Sequence, residues 1–395
     1  MLYDNFMCLK NVFCAYYAKK IPIIIGIFLL LCSVACSQEK REEEPIAERT
    51  VLIYMAADNN LYAYAIENIK NMLTSELPNN CNLVVYLDTP SWLIETKPQL
   101  YHIQSGELIS VKQYLPHNSA SAEVLQEVIG DVLHLFKAQS YGLVLWSHGT
   151  GWLPESAFED LKSQSTAAYH TYPVKSFGKD GAHEINIVDL ANAIPIKFDY
   201  ILFDACLMSC MEVLYQLRNK ADVIIASPTE ILAEGFPYDK ITPLLFGNNY
   251  IGIAQAYMAY YKNKSDALLQ SATIAVVDTK QLIPFAATMK NLIKNGNVVT
   301  SPDNQTIQSY DRLDSSVFYD LQDCLEHSVV DEQILNINQQ LSTMVLYNGF
   351  TPFFLQDYPI LKSCGLSVYI SSSNKELDEY YKRLDWYRDT GLLFH

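Results

Sequence analysis

Residues 142–149 read Gly-Leu-Val-Leu-Trp-Ser-His-Gly, an apolar run that ends in a histidine and a glycine. A short apolar run that is closed by turn-forming residues is typical of a strand buried on both faces. Residues 200–206 repeat the pattern, because Tyr-Ile-Leu-Phe is followed by Asp-Ala-Cys. Each predicted strand therefore carries a reactive side chain at its carboxyl end, His148 in the first and Cys206 in the second.

Strands of this kind alternate with helical patterns along the chain. Further apolar runs predict strands at residues 50–57, 83–87, 223–226 and 272–277, and a hairpin at 101–112. Apolar residues at helical spacing predict helices at 61–73, 121–138, 188–193, 207–217, 251–261 and 281–293. The alternation favours an α/β fold in which helices cover both faces of a mostly parallel sheet.

Two stretches depart from this alternation. Residues 150–184 have little periodicity and are rich in Ser, Thr, Gly, Lys and His, which predicts a long mobile loop of a length that is uncommon unless it is functional. From about residue 296 the composition turns more polar, before a helical pattern at 331–347 and a strand-like one at 365–370. The pattern leaves open whether residues 296–395 form a subdomain or pack onto the same sheet.

The start of the chain has the features of an export signal. Residues 21–35 are apolar and follow two lysines, and their length of about fifteen residues is short of the roughly twenty that span a bilayer. Residues 33–36, Ser-Val-Ala-Cys, resemble a bacterial lipobox, so residues 1–36 are expected to be a lipoprotein signal peptide that ends at Cys36. Residues 37–49 would form an acidic tether, as in some surface-exported Gram-negative lipoproteins. This start predicts an outer-membrane or surface lipoprotein, with plain secretion as the alternative.

Composition excludes several classes of protein. The 395 residues are 50% hydrophobic and 18% charged, which rules out a disordered chain, a collagen-like repeat and a coiled coil. Asp and Glu number 44 against 28 Lys and Arg, a net charge of −16 that opposes binding to nucleic acid. Five of the nine cysteines follow Cys36, and an odd number leaves at least one thiol outside any disulfide.

The histidine and the cysteine suggest nucleophilic catalysis. Functional groups gather at the carboxyl ends of parallel strands, and the 58 positions that separate His148 from Cys206 leave room for a crossover between neighbouring strands. An imidazole can take the proton of a thiol, which then attacks a carbonyl carbon. Cys206 also precedes a predicted helix, whose positive end would lower the pKa of the thiol. Gly149 lacks a β-carbon, so its N–H could approach a developing oxyanion together with the N–H of Cys206.

Several blocks of sequence resemble the clostripain family of cysteine peptidases, in the caspase-like clan. The similar blocks are Val51–Leu61, Ser147-His148-Gly149-Thr150-Gly151-Trp152, Asp204-Ala205-Cys206-Leu207-Met208, Gly235-Phe236-Pro237-Tyr238 and Gly365-Leu366-Ser367-Val368-Tyr369. The caspase signature, Gln-Ala-Cys with a glycine within two residues, is absent. The resemblance covers most of residues 50–370.

The resemblance implies a function and a domain organisation. It implies a caspase-like catalytic domain over 50–295 with a C-terminal α/β extension over 296–395, and an endopeptidase that cleaves protein or peptide substrates after Arg or Lys through a thioester. It places the catalytic dyad on His148 and Cys206, the oxyanion hole on Gly149 and Cys206, and recognition of a basic side chain on Asp204. Some members of the family are activated by internal cleavage and some need calcium, although this chain has no EF-hand loop.

The placement of Asp204 also follows from strand geometry. It lies two residues before Cys206, so the two side chains project to the same face of the strand. The alternative is that Asp204 only fixes its loop by accepting backbone hydrogen bonds. Trp152 could shape the substrate cleft or simply pack, and Glu230 and Asp239 are candidates for a second pocket acid or for surface carboxylates.

Rival interpretations remain open at this point. His148, His183, Cys206 and Cys210 could bind zinc, although the spacing of the two cysteines matches no common ligand pattern. His170 or His183 could replace His148 as the base, although neither follows an apolar strand. The chain could also be a catalytically silent surface lipoprotein that uses the fold as a binding module.

Overall fold

The structure is a computed structural model, and it describes residues 46–90, 97–164, 179–180, 183–372 and 374–395. The strands are β1 Ala47–Ala56, β2 Cys81–Asp88, β3 Gln99–Gln104, β4 Glu107–Gln113, β5 Ala138–Trp146, β6 Lys179–Asp180, β7 His183–Glu184, β8 Phe198–Asp204, β9 Ala221–Ala226, β10 Thr273–Asp278, β11 Tyr319–Asp320, β12 Val345–Phe350, β13 Phe353–Phe354, β14 Tyr358–Pro359 and β15 Ser367–Val368. The α-helices are α1 Tyr62–Leu73, α2 Ala122–Leu135, α3 Ala157–Gln164, α4 Ile187–Ala193, α5 Met211–Gln216, α6 Tyr238–Ile241, α7 Tyr250–Lys262, α8 Leu282–Lys294, α9 Leu321–Ser328, α10 Asp331–Met344, α11 Lys375–Tyr381 and α12 Asp385–Thr390.

A nine-stranded sheet forms the centre of the molecule, in the order β12-β10-β9-β8-β5-β1-β2-β3-β4. The five strands from β9 to β2 are parallel to one another. These strands are apolar on both sides, and residues 51–56 of β1 are all buried. The predicted parallel core is confirmed, because such runs are stable only where both faces of a sheet are covered.

The chain changes direction across the sheet between β1 and β5. It moves from β1 to β2 through α1, and then from β5 to β8 and β9 in the opposite direction through α4 and α5. Because crossovers of this type are right-handed, α1 lies on one face and α4 and α5 lie on the other. The carboxyl ends of β1 and β5 consequently flank a topological switch point, where open α/β sheets place their ligands.

Antiparallel strands extend both edges of the sheet. The predicted hairpin is confirmed as β3 and β4, which continue the sheet beyond β2. At the other edge β10 pairs antiparallel with β9, and β12 pairs antiparallel with β10. Residues 345–350 therefore belong to the central sheet, and residues 47–395 form one compact unit.

Some element boundaries differ from the predictions. The helix expected over 207–217 begins only at Met211, because Leu207 has a φ of 61° and cannot continue into a helix. Helix α3 lies inside the segment expected to be an unstructured loop, of which residues 165–178 and 181–182 lie outside the described residues. The strand-like stretch 365–370 forms only the short β15, which pairs with β11.

The start of β1 lies inside the predicted tether. Arg49 is part of the strand and is buried, and its guanidinium contacts Asp199 at 2.5 Å and Ser140 at 3.0 Å. These contacts hold Arg49 against the sheet, so residues 47–49 belong to β1 and not to the predicted tether, whose other residues up to 45 lie outside the described residues. The expected signal peptide, with Cys36, lies outside the described residues. No helix in the described part of the chain is long and apolar enough to cross a membrane.

Candidate active site

His148 and Cys206 follow neighbouring strands at the same level of the sheet. Strands β5 and β8 are parallel, and Trp146 lies opposite Asp204 in the last pair of their register. His148 and Cys206 each lie two residues beyond that pair. The expectation that a crossover makes their strands neighbours is confirmed. Both side chains are buried, with 6% of His148 and 1% of Cys206 exposed.

The thiol of Cys206 is held by a backbone amide. The N–H of Ile231 donates to Sγ at 3.0 Å, and the thiol donates to the carbonyl oxygen of Ile231 at 3.6 Å. A hydrogen bond donated to sulfur favours the thiolate over the thiol. The predicted source of this stabilisation, a helix beginning directly after Cys206, is wrong because α5 starts at Met211. The hydrogen bond from the Ile231 N–H favours the thiolate in place of the helix.

The imidazole of His148 is oriented by an asparagine. Its Nε2 lies 2.7 Å from the side-chain oxygen of Asn60. Because an amide oxygen only accepts, Nε2 carries the proton, and in the neutral ring Nδ1 then carries the lone pair. Asn60 was missed in the sequence, although it follows β1, the strand next to β5, and strand-end reasoning applies to it equally.

The loop after His148 packs against residues from the C-terminal part of the chain. Gly151 has a φ of 64°, and a β-carbon there would lie 2.6 Å from the ring of Phe318. Glycine is therefore required by conformation and by space. Trp152 is fully buried, with its ring 4.6 Å from that of Tyr369 and 5.3 Å from that of Tyr381. Of the two predicted roles, these contacts support packing, and Gly149 lies buried in the same loop.

Asp204 is fully buried at the end of β8. Its Oδ2 accepts from the hydroxyl of Tyr238 at 3.1 Å and from the N–H of Phe236 at 3.4 Å. The same segment of chain supplies Ile231 to Cys206, so both side chains face residues 231–238. The contact with Phe236 agrees with the alternative role of Asp204, in which it fixes the loop by accepting a backbone hydrogen bond. The contact with the hydroxyl of Tyr238 is not needed for that role.

The two other candidate acids differ in environment. Glu230 is buried, and its Oε2 lies 2.7 Å from Nε of Arg312, whose half-buried side chain lies over the ring of Phe354. Asp239 is exposed and lies 3.1 Å from Lys240. Glu230 is therefore an internal ion-pair partner that anchors the segment before Ile231, and Asp239 is a surface carboxylate. A direct role of Glu230 in substrate binding stays a prediction.

Among the described residues, the candidate zinc ligands are not brought together as a group of three or more. His183 is exposed and lies 3.6 Å from Glu155, and His170 lies outside the described residues. Cys210 is fully buried at the start of α5. Within the described ranges, no group of three or more His, Cys, Asp or Glu side chains could hold a metal ion.

Comparisons with known proteins agree on one family. Residues 53–391 match the model of the clostripain family. Clostripain of Hathewaya histolytica is 27% identical over 221 residues, which are 49% of this chain and 41% of that protein. This chain thus matches about two-fifths of the length of that relative.

Solved structures with the same fold cover most of the chain. An inactive zymogen of a protease from Parabacteroides distasonis is 35% identical, with a TM-score of 0.73 over 87% of this chain and 98% of that one. A secreted cysteine protease from Bacteroides thetaiotaomicron, in complex with an irreversible peptide inhibitor, is 28% identical, with a TM-score of 0.73 over 87% and 99% of the two chains. The caspase-like α/β fold that the sequence resembles is confirmed by these neighbours.

Proposed function

Because the chain belongs to the clostripain family of cysteine peptidases, we propose that it is an exported cysteine endopeptidase that cleaves after Arg or Lys through His148 and Cys206. The observation that carries this proposal is the register of β5 and β8, which brings the two residues to the same level of adjacent strands. The inhibitor-bound relative supports a peptide substrate, and its description as secreted supports export.

The first half of the proposed reaction forms an acyl-enzyme. Nδ1 of His148 takes the thiol proton of Cys206, and Sγ attacks the carbonyl carbon of the scissile bond. The N–H groups of Gly149 and Cys206 stabilise the oxyanion. The carbon–nitrogen bond then breaks, and the proton held by His148 passes to the departing amine. The acyl group remains on sulfur as a thioester.

Water completes the cycle. His148 removes a proton from a water molecule, whose oxygen attacks the thioester carbonyl carbon. Collapse of the second oxyanion breaks the carbon–sulfur bond and releases the carboxylic acid, and the proton on His148 returns to the sulfur. Asn60 holds the imidazole in one orientation throughout, because Nε2 keeps its proton and its acceptor in each step.

The preference for a basic residue is carried by Asp204. A buried carboxylate next to the nucleophile can pair bidentately with a guanidinium and as a point charge with an ammonium. The proposal is tested with peptides that differ only in the residue before the scissile bond. Cleavage after Arg or Lys is expected, whereas cleavage after Asp or an apolar residue would show that this pocket assignment is wrong.

Internal cleavage is a further part of the proposal. Cys206 is only 1% exposed in the described conformation, and a similar protein has been solved as an inactive zymogen. The segment between His148 and Cys206 contains Lys162, Lys175 and Lys179, and a peptidase with basic specificity can cut itself or a neighbouring copy there.

The proposed internal cleavage predicts a mass difference between the active protein and the Cys206→Ala variant. Active protein is expected to consist of two fragments cut after one of these lysines, while the Cys206→Ala variant stays at its full mass. Intact-mass spectrometry of both preparations decides the question. Full activity in uncut protein would show that processing is unnecessary.

The orienting role of Asn60 gives another prediction. Asn60→Ala should lower kcat/KM about tenfold, since the loss of one hydrogen bond to the base is worth roughly 1–1.5 kcal/mol. Asn60→Asp keeps an acceptor for Nε2 and should retain activity while moving the acidic limb of the pH–rate profile to higher pH, because a carboxylate favours the imidazolium.

Asn59 offers a matched control for this measurement. Its side chain contacts the carbonyl oxygen of Ala56 and the N–H of Leu61 within the same turn. Asn59→Ala should therefore lower the melting temperature without changing the shape of the pH–rate profile. If both alanine variants lower kcat/KM equally, Asn60 acts only through the turn.

Two components of the proposal, the lipid anchor and calcium, rest on the sequence alone. A lipid on Cys36 would anchor the protein in the outer membrane or at the cell surface, and extraction of labelled lipid from the protein tests this. A need for calcium stays an expectation from the family resemblance, and no step is assigned to that ion. A silent binding module is the second candidate, and failure of a thiol-reactive peptide probe to label Cys206 would favour it.

A further inference from the structure

Tyr257 carries a buried hydroxyl that has no hydrogen-bond partner among the described residues. The residue lies on α7, its side chain is fully buried, and its ring packs 4.5 Å from that of Phe236 and 4.9 Å from that of Tyr261. A buried hydroxyl without a partner destabilises the folded state, because the group loses its hydrogen bonds to water and gains none in the protein. A group of this kind calls for an explanation, since nearly all buried polar groups are paired.

The position of this hydroxyl supplies the explanation. Phe236, the ring neighbour of Tyr257, donates its N–H to Asp204. Burial is the main cause that raises the pKa of Tyr257, and the negative charges of Asp204 and Cys206 add to it. The phenol therefore lies within electrostatic reach of both the proposed specificity carboxylate and the proposed nucleophile.

The neighbouring phenols are already used within the protein. Tyr238 donates its hydroxyl to Asp204, and Tyr261 donates to the carbonyl oxygen of Gly235 at 2.8 Å. Tyr257 differs from both in having an oxygen that forms no hydrogen bond with any described group. Its two lone pairs are therefore available to a ligand that brings N–H donors to Asp204.

We infer that the hydroxyl of Tyr257 is a specificity-determining group, whose oxygen accepts an N–H from the Arg or Lys side chain that pairs with Asp204. An arginine side chain has five N–H donors and a lysine has three. The carboxylate of Asp204 cannot accept from all of them, so the neutral oxygen of Tyr257 can accept from one of the remaining donors. This inference deepens the proposed function and rests on its preference for basic residues.

The Tyr257→Phe variant tests the inference, because it removes one oxygen and keeps the ring. The loss of a hydrogen bond to a charged group is expected to lower kcat/KM for Arg and Lys peptides by about tenfold to a hundredfold. The melting temperature should stay the same or rise, since an unpaired buried hydroxyl is removed. The rate at which iodoacetamide labels Cys206 should not change.

Tyr261→Phe is the matched control, one helical turn further along α7 and equally buried. It leaves the carbonyl oxygen of Gly235 without its donor, so the melting temperature should fall while the preference for basic residues is retained. Inhibition by benzamidine, an aromatic amidine that carries the cation without a scissile bond, gives a readout independent of catalysis. Its inhibition constant should rise about tenfold in Tyr257→Phe and stay unchanged in Tyr261→Phe.

Three results would overturn the inference. Activity of Tyr257→Phe within threefold of wild type on Arg peptides would show that the hydroxyl binds no substrate. An equal loss on peptides with a neutral residue before the scissile bond, or slower labelling of Cys206, would show a structural role. A wild-type protein that hydrolyses peptides without preferring Arg or Lys would refute the proposed specificity itself, and this is seen before any variant is made.

Discussion

Peptide hydrolysis should disappear in the Cys206→Ala variant, because the variant has no atom that can form the thioester. Loss of a nucleophile in a hydrolase of this type typically lowers kcat by about a millionfold, which is below detection in most assays. The measurement is hydrolysis of an Arg peptide by purified protein. Binding of the same peptide should survive in Cys206→Ala protein that wild-type enzyme has first cut, since the substitution removes one sulfur and leaves Asp204 in place.

Cys210→Ala is the control for this variant. Cys210 is buried at the start of α5, so its replacement should lower stability by about 1–2 kcal/mol through a small cavity while most activity is retained. Equal loss of activity in both variants would contradict the assignment of the nucleophile.

Thiol labelling provides a second readout of the same assignment. Burial raises the pKa of Cys210, Cys324 and Cys364 well above the usual value, and the pKa of Cys81 is also raised. These four thiols therefore stay protonated and unreactive at neutral pH. Iodoacetamide should modify Cys206 first in the active protein, and this advantage should vanish at a pH low enough to protonate its thiolate.

Asp204→Asn should lower kcat/KM for Arg peptides by two orders of magnitude or more. Asparagine keeps the size of the side chain and an oxygen that can accept from Tyr238 and Phe236, so the fold is retained. The substrate cation, however, loses its counter-charge in a buried site, which costs about 3–5 kcal/mol. Kinetics with Arg peptides and with matched neutral peptides separate this loss from a general defect.

The control is a carboxylate of the same region that is exposed. Asp239→Asn removes a charge that is paired with Lys240 at the surface, and activity should change by less than about twofold because such pairs are weak. Labelling of Cys206 should remain normal in both variants. If Asp204→Asn instead slows labelling as much as hydrolysis, Asp204 supports the nucleophile and does not bind the substrate.

The central strands and the two strand-end residues were predictable because their signals are local. An apolar run followed by His148, or by Cys206, indicates a buried strand wherever the run occurs in the fold. The start of α5 was not predictable in this way. Leu207 adopts a left-handed conformation, which leucine rarely does, because its N–H donates to the carbonyl oxygen of Thr229 at 2.9 Å.

The partners that complete the site come from distant parts of the chain. The Ile231 amide and the Tyr257 hydroxyl are recognisable only after residues 229–238 have packed at the end of β8 and α7 has packed on Phe236, and no spacing in the sequence encodes that proximity. Asn60 is an intermediate case, because its place after β1 is visible in the sequence. What the sequence does not show is that β1 lies next to β5.

The contacts of the loop after Cys206 also bear on when the site can form during synthesis. Ser209 donates its hydroxyl to the carbonyl oxygen of Gly365, 156 positions further along the chain. The backbone carbonyl oxygen of Ser209 accepts from the N–H of Ser367. A ribosome adds these partners only after more than 150 further residues have been made, since chains are made and begin to fold from the N-terminus. The nascent chain therefore cannot complete the loop beside Cys206 until residues 365–367 have been made, which keeps the site unassembled while the intervening chain is synthesised.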